Sequence, residues 1–267
     1  MGRLMKYDLR AAMKLFLPIW IGTLILSLVN SFTIFRPEDA SGWLAEFLTS
    51  LTMIAYVLAV IAIVIITIIY IVLRFYQGLL KDEGYLTFTL PVGIDSILWA
   101  KALTGLILLA VSGVVCVLSV LILTRTYIDM RDVELVVSMF VDHASTKDLI
   151  LSILSAVMFA IGTCLSGIFH AYLAMAFGQL AKKRKLGASV LAYVLISTVT
   201  SAVASMVLMP LSAKLFSGLG RPNVLSIFNG PQGMWLILFL GTLYNLLFTA
   251  IYYFPTRYIF KNKLNLE

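Results

Sequence analysis

Six long apolar runs alternate with short polar segments along the chain. Each run has the length that a helix needs to cross the hydrocarbon core of a bilayer, about 20 residues, and none carries a charge. The runs predict six membrane spans, at positions 15–35, 51–73, 102–124, 149–180, 188–209 and 233–254. The fourth run is too long for one straight crossing, so we expect it to be tilted, bent or continued beyond the bilayer. Pro210 is expected to end the fifth helix.

Two of the polar segments have a helical period of their own. In residues 1–14, basic residues recur on one face and apolar residues fill the other, which predicts an amphipathic helix lying in the membrane interface near anionic lipid. A signal peptide is the alternative, but no small-residue cleavage site follows, so we expect this helix to be retained. Apolar residues at helical spacing between 130 and 141 predict a second surface helix on the outer side.

Composition supports a membrane protein. The chain is 61% hydrophobic and 12% charged, with a mean hydropathy of +1.01, and so has too little polar surface to cover a soluble globule of 267 residues. We therefore predict an all-α integral membrane protein. The net charge of +7 falls in clusters between apolar runs, which indicates membrane topology and not nucleic-acid binding. Cys116 and Cys164 lie inside apolar runs, as small buried hydrophobes do.

The charged residues also predict an orientation. Residues 1–14, the stretch 74–101, the cluster 182–185 and the tail hold 14 basic and 5 acidic residues, whereas the remaining polar segments hold 6 basic and 8 acidic. The positive-inside rule therefore places both termini in the cytoplasm. We find no short repeat and no linker-like tract, so residues 1–267 are predicted to form a single transmembrane domain.

The sequence lacks the common motifs of catalysis. There is no phosphate-binding G-x-x-x-x-G-K-[ST], no H-E-x-x-H and no G-x-S-x-G, so we expect no enzyme activity and no cofactor or metal in this chain. No Asp, Glu, Lys or Arg lies well inside a predicted span, which argues against an ion-coupled transporter. His170 lies in the fourth run; a proton relay or a ligand is one interpretation, and a neutral histidine, hydrogen-bonded between helices or placed near the cytoplasmic end, is favoured.

The fifth and sixth spans carry polar side chains that can serve helix packing or a translocation path. Ser197, Ser201 and Ser205 lie four residues apart, a spacing that allows close packing within the chain or in a dimer. Contact with a substrate is the alternative. Tyr244 and Asn245 face either a path or a neighbouring helix, and the sequence does not decide between these two.

The stretch from Arg74 to Lys101 has too many large apolar residues for a solvated loop, and we expect it to lie on the membrane surface or against a partner. Gly84 and Pro91 divide it into a helical extension of the second span to about Leu80, a central core and a helix that leads into the third span.

The segment RFYQGLLKDEGYLTFTLPVG, the amphipathic amino terminus, the six spans and the tail NKLNLE together resemble bacterial type-2 ABC transporter permeases. The resemblance implies a permease that forms a dimer, with itself or with a second permease, and binds separate subunits that hold ATP and Mg. It also implies that residues 1–14 are an elbow helix and that the loop between the second and third spans carries a coupling helix. The implied ATPase-docking residues are Asp82, Glu83, Gly84, Tyr85, Leu86, Phe88 and Pro91.

The expected function is that of the membrane subunit of an ATP-driven exporter in the cytoplasmic membrane of a bacterium, exporting a drug-like, peptide or lipid-like substrate. The alternative is a membrane anchor or sensor that transports nothing, for example in antimicrobial-peptide resistance, and regulates an associated ATPase. A membrane enzyme ranks third, because the sequence shows no nucleophile or metal set.

Overall fold

A computed structural model describes residues 2–34, 42–80, 93–124, 145–181, 184–217 and 231–262. These residues form six α-helices, and no strand occurs among them. The helices are α1 (Gly2–Ile34), α2 (Trp43–Leu80), α3 (Ile94–Thr124), α4 (Thr146–Gln179), α5 (Lys185–Ser217) and α6 (Pro231–Asn262).

All six helices are long and apolar enough to cross a membrane, which confirms the predicted class of an all-α, multi-pass membrane protein. They contain between 31 and 38 residues. At 1.5 Å per residue, even the shortest is about 46 Å long and therefore exceeds the roughly 30 Å of a hydrocarbon core. The spans thus continue as helix beyond their apolar centres.

The bounds of helices α1 and α2 bear on the predictions. The described part of helix α2 reaches Leu80, so the second span extends as a helix at least as far as expected. Helix α1 runs from Gly2 to Ile34 without a break, so the amphipathic start and the first span are one helix, and a separate elbow in residues 1–14 stays a prediction. Pro18 lies inside this helix.

The prediction that Pro210 ends the fifth helix is wrong, because α5 continues to Ser217. Proline removes one backbone N–H and disturbs the bond to the preceding turn. A helix in apolar surroundings keeps its remaining internal bonds, since no water is present to replace them. Proline is for this reason a weaker helix terminator here than in a soluble protein.

Hydroxyl side chains inside the helices bond to their own backbone. Thr23, Thr67 and Thr104 each donate to the carbonyl four residues earlier, at 2.9, 2.6 and 2.9 Å. Thr242 and Thr256 do the same at 2.8 and 2.7 Å. This local bond satisfies the hydroxyl without the need for water.

The described chain falls into two compact units. The first, which we call unit 1, holds α1, α2 as far as Arg74, and α3 from Ser96 onward. The second, unit 2, holds the end of α2 from Phe75, the first residues of α3, and helices α4 to α6. Nothing in the structure tests whether residues 1–267 form the predicted single domain.

Unit 1 has a small apolar core near the start of α1. Ala12, Phe16 and Leu108 are almost fully buried, and Trp20 and Tyr70 pack around them. The ring of Phe16 meets the ring of Tyr70 edge to face at 5.3 Å between centroids, a favourable aromatic geometry.

Farther along α1, side-chain hydrogen bonds join all three helices of unit 1. Ser112 of α3 accepts a bond from the indole Nε1 of Trp20 at 3.2 Å, and its hydroxyl also lies 3.1 Å from Thr67 Oγ1 of α2. About two turns later, Ser119 repeats the arrangement: Ser27 donates to the carbonyl of Ser119, and Ser119 Oγ lies 3.0 Å from the hydroxyl of Tyr56. Each serine therefore links α3 to both other helices.

The fully buried Asn30 completes this series between α1 and α2. Its Nδ2 donates to the carbonyl of Thr52 at 3.1 Å, and its Oδ1 accepts from Thr52 Oγ1 at 2.9 Å. The amide is thus bonded through both of its ends, as a buried amide requires.

Unit 2 is built on α4, which packs along α6 and α5. Small residues set the closeness of these contacts. A Cβ atom added to Gly241 would lie 2.6 Å from the ring of Phe159, and one added to Gly178 would lie 1.9 Å from Ser189 Oγ and 2.7 Å from Ser189 Cα. Helices α4 and α5 therefore touch backbone to backbone at Gly178, as small residues permit in membrane helices.

We predict that Gly178→Ala destabilises the protein by about 1–3 kcal/mol, because the added methyl group overlaps the backbone of Ser189 and the two helices must separate. Thermal unfolding in detergent measures the effect. Gly167→Ala is the matched control on the same helix, since no atom lies within 4 Å of its added Cβ. Equal unfolding temperatures for the two variants would contradict the close contact.

Candidate functional site

The stretch from Arg74 to Lys101 is the candidate site, and the structure describes both of its flanks. The predicted docking residues lie outside the described residues: Asp82, Glu83, Gly84, Tyr85, Leu86, Phe88 and Pro91. Description stops at Leu80, the end of α2, and resumes at Gly93, one residue before α3. The geometry of the site is therefore that of the two helix ends that carry the stretch.

In unit 1, both flanks bind one buried carboxylate. Arg74 of α2 binds Asp8 Oδ1 through Nη2 at 2.6 Å and through Nε at 3.0 Å. Lys101 of α3 lies 4.0 Å from the other carboxylate oxygen and donates to the carbonyl of Arg74 at 3.3 Å. The side chains of Asp8 and Lys101 are only 8% and 7% exposed, so this ion cluster is screened little by solvent.

The ion cluster joins three helices at one point. Asp8 comes from α1, Arg74 from the end of α2 and Lys101 from the start of α3. A buried carboxylate needs such partners, because an ionised group without them is costly to remove from water. The stretch is thereby fixed at both of its ends to the first helix.

Sequence reasoning missed this cluster. We assigned Arg74 and Lys101 to the polar flanks of their spans and grouped Asp8 with the amphipathic amino terminus. One signal was available: Asp8 is the only acidic residue before Glu38, and it stands among basic residues in the first helix. A lone carboxylate of this kind is a candidate partner for the cations at the ends of neighbouring spans.

In unit 2, the start of α3 binds α6. Asp95, in the first turn of α3, accepts a bond from the hydroxyl of Tyr253 at 2.6 Å, and Arg257 Nε lies 2.7 Å from the same oxygen. The Asp95 and Arg257 side chains are 44% and 43% exposed, so this ion pair is weaker than the buried cluster in unit 1. The carboxylate also lies at a helix N-terminus, where the helix dipole favours negative charge.

The end of α2 is held by an aromatic cluster, also in unit 2. Phe75 is 1% exposed and stacks on Tyr172 of α4 with ring centroids 3.7 Å apart, while Phe260 of α6 meets it edge to face at 5.7 Å. Phe169 adds edge contacts to Tyr172 and Tyr253. Phe75, the residue that follows Arg74, is thus firmly packed within unit 2.

The other predicted site residues fall into two groups. Asn245 faces a neighbouring helix, because its Nδ2 donates to Thr163 Oγ1 of α4 at 3.1 Å. Tyr244 is 39% exposed and lies against Phe248 of its own helix. Ser201 and Ser205 are exposed on α5 and Ser197 is half-buried, so their contact with a second chain or a substrate stays a prediction.

His170 does not fit the predicted hydrogen bond between helices. Its imidazole lies between two tyrosine rings, with centroids 4.5 Å from Tyr193 of α5 and 5.1 Å from Tyr252 of α6. Its Nε2 is buried, and within the described ranges it has no hydrogen-bond partner. Among the described residues, no three side chains of the metal-binding types lie close enough to hold an ion.

No family model, curated protein or solved structure matches this chain. The likeness to type-2 permeases therefore depends on the residues quoted above, from Arg74 to Gly93 and in the tail.

We predict that Asp8→Asn destabilises the protein by about 1–3 kcal/mol, because the buried Lys101 and the half-exposed Arg74 lose the charge that they share. Detergent unfolding followed by intrinsic fluorescence measures the loss. The control is Glu46→Gln, which removes an exposed carboxylate from the first turn of α2. If Asp8→Asn and this control have the same free energy of unfolding, the ion cluster does not hold the three helices.

Proposed function

We propose that the chain is the permease subunit of an ATP-driven exporter, and that residues 82–91 dock a separate ATP-hydrolysing subunit. The observation that carries the proposal is the anchoring of both flanks of that segment. Arg74 and Lys101 bind Asp8, and Asp95 binds Arg257 and Tyr253. A segment that transmits force needs stiff attachment at its ends. With flexible attachments, a displacement of the segment would not move the helices.

The chemistry of the helices supports an external source of energy. The chain has no phosphate-binding motif. Five of the charged residues near the ends of its described helices form ion pairs with one another: Asp8, Arg74, Lys101, Asp95 and Arg257. A transporter of this composition takes its energy from a partner and changes between two helix packings that the partner favours differently. Each of the two units contains part of α2 and part of α3, the helices that bear the docking segment.

The proposed orientation follows from charge. The docking segment, the cluster 182–185, both termini and the ion cluster belong to the basic side of the charge pattern, which the positive-inside rule assigns to the cytoplasm. ATP-hydrolysing subunits act on that side. The partners are thus two ATP-binding subunits and a second permease, identical or related, in a bacterial cytoplasmic membrane.

We predict that Glu83→Ala combined with Tyr85→Ala lowers recovery of the ATP-binding subunit and its coupled ATP turnover at least about tenfold. Each change removes a central contact, a carboxylate or an aromatic anchor, from the docking core. The measurements are quantitative mass spectrometry of the tagged chain purified from its native membranes and ATP hydrolysis in lipid vesicles.

The matched control is Asp132→Ala combined with Val133→Ala, in the segment assigned to the opposite side of the membrane. It should keep both the subunit and the turnover. If the docking variant also keeps them, residues 82–91 are not the docking segment. If no ATP-binding subunit accompanies the unaltered chain, the permease proposal itself is wrong. ATP turnover without accumulation of any compound in inverted vesicles would favour the sensor.

A further inference from the structure

His170 is half-buried, and its imidazole Nε2 is left unsatisfied in the part of the chain that the structure describes. Its Nε2 is shielded from solvent and has no hydrogen-bond partner among the described residues. By contrast, the hydroxyl of Thr242 on α6 donates a hydrogen bond to its own backbone. A nitrogen without a partner in apolar surroundings is costly, so a molecule that bonds to it gains more than it would at a solvated site.

The two tyrosines beside His170 differ in mobility. Tyr252 is 6% exposed, and its ring also lies against Phe248, so it forms a fixed wall. Tyr193 is 47% exposed, and its ring is the nearer of the two to the imidazole. Because an exposed side chain changes rotamer readily, Tyr193 is the one of the two walls that can shift without any movement of a helix.

The surroundings define the chemistry of a ligand. The apolar runs 149–180, 188–209 and 233–254 contain no Asp, Glu, Lys or Arg, so nothing there stabilises a charged group. Imidazole donates or accepts one hydrogen bond at Nε2, and the tyrosine rings offer flat apolar faces. These features suit an uncharged hydroxyl or amide attached to an apolar or aromatic body.

His170 is also within reach of a molecule dissolved in one leaflet. It lies nine residues before Gln179, the last residue of α4, which is about 14 Å along the helix. The basic cluster 182–185 follows directly, so this end of α4 is the cytoplasmic one in the proposed topology. An amphiphile with its polar end near the interface therefore approaches from the inner leaflet.

We propose that His170, Tyr193 and Tyr252 form a binding site for an uncharged amphipathic molecule, whose hydroxyl or amide bonds to His170 Nε2 while its apolar part lies along the tyrosine rings. This molecule represents the class of substrate that the exporter moves, and this part of the inference rests on the proposed function. Binding itself needs only this chain. Free amphiphiles and membrane lipids such as diacylglycerol share this chemistry.

Photocrosslinking in phosphatidylcholine nanodiscs tests the site. The probe is a benzophenone-bearing decanol. The control compound, the hydrocarbon partner of the probe, is the same molecule without the hydroxyl group. We expect the alcohol to label peptides around positions 170 and 193 of the purified chain. His170→Phe, which keeps a ring but removes the nitrogens, should lower labelling by the alcohol about fivefold, as the loss of one hydrogen bond predicts. Labelling by the hydrocarbon partner should not change.

One control variant separates the site from general effects. His143→Gln removes the other histidine and should label as the unaltered chain does. Unfolding temperature shows that each variant is folded; if His170→Phe is not, His170→Gln replaces it and should retain labelling, since its amide can also form the bond.

Competition identifies the source of the ligand. Displacement of the probe by 1-decanol supports a free amphiphile, and displacement by dioleoylglycerol supports a membrane lipid. Equal labelling of the unaltered chain and His170→Phe by the alcohol, or displacement by neither competitor, overturns the site. Because no ATP-binding subunit is present in this experiment, this failure leaves the permease proposal standing. Conversely, if the site is labelled but the chain recruits no such subunit, the binding site stands and the permease proposal fails.

Discussion

Every polar group placed among apolar helices must find its partner within the protein, and this constraint shapes unit 1. Several polar side chains of α1, α2 and α3 meet at Ser112, at Ser119 and at the pair of Asn30 with Thr52, and each meeting point specifies which helix faces which. Apolar side chains alone give less specificity, because lipid tails are as apolar as leucine.

Unit 2 relies on shape more than on hydrogen bonds. Helix α4 approaches its neighbours where Gly178 and Gly241 leave no room for a side chain, and rings stack around Phe75 and Phe169. Contacts of this kind depend on complementary surfaces, and their energy falls steeply when the surfaces separate. Three buried side-chain nitrogens of this unit, in His170, Gln179 and Trp235, have no hydrogen-bond partner among the described residues.

The sequence predicted the helices well and the contacts between them poorly. Uninterrupted apolar runs predict helices in a membrane because no other backbone conformation satisfies itself there, and six such runs gave six helices. The prediction that Pro210 ends the fifth helix was wrong because it applied to this helix the effect that proline has in soluble helices. Asp8 stands alone among basic residues, which indicates that it needs a cationic partner, but the sequence does not identify Arg74, since this residue lies 66 positions away and only the fold brings the two together. The predicted docking residues were inferred from a resemblance, and they fall in 82–91, outside the described residues.

The wide sequence separation within unit 1 has a consequence for synthesis. The polar face of α1 is made early, but Trp20 and Ser27 bond to residues that follow 92 positions later. At 5–20 residues per second, a ribosome takes roughly 5 to 20 seconds to cover that distance. Asn30 finds Thr52 after only 22 residues, so α1 and α2 can pair as a hairpin while α3 is still being made. Until α3 arrives, the insertion machinery must tolerate an incomplete polar face on the first helix.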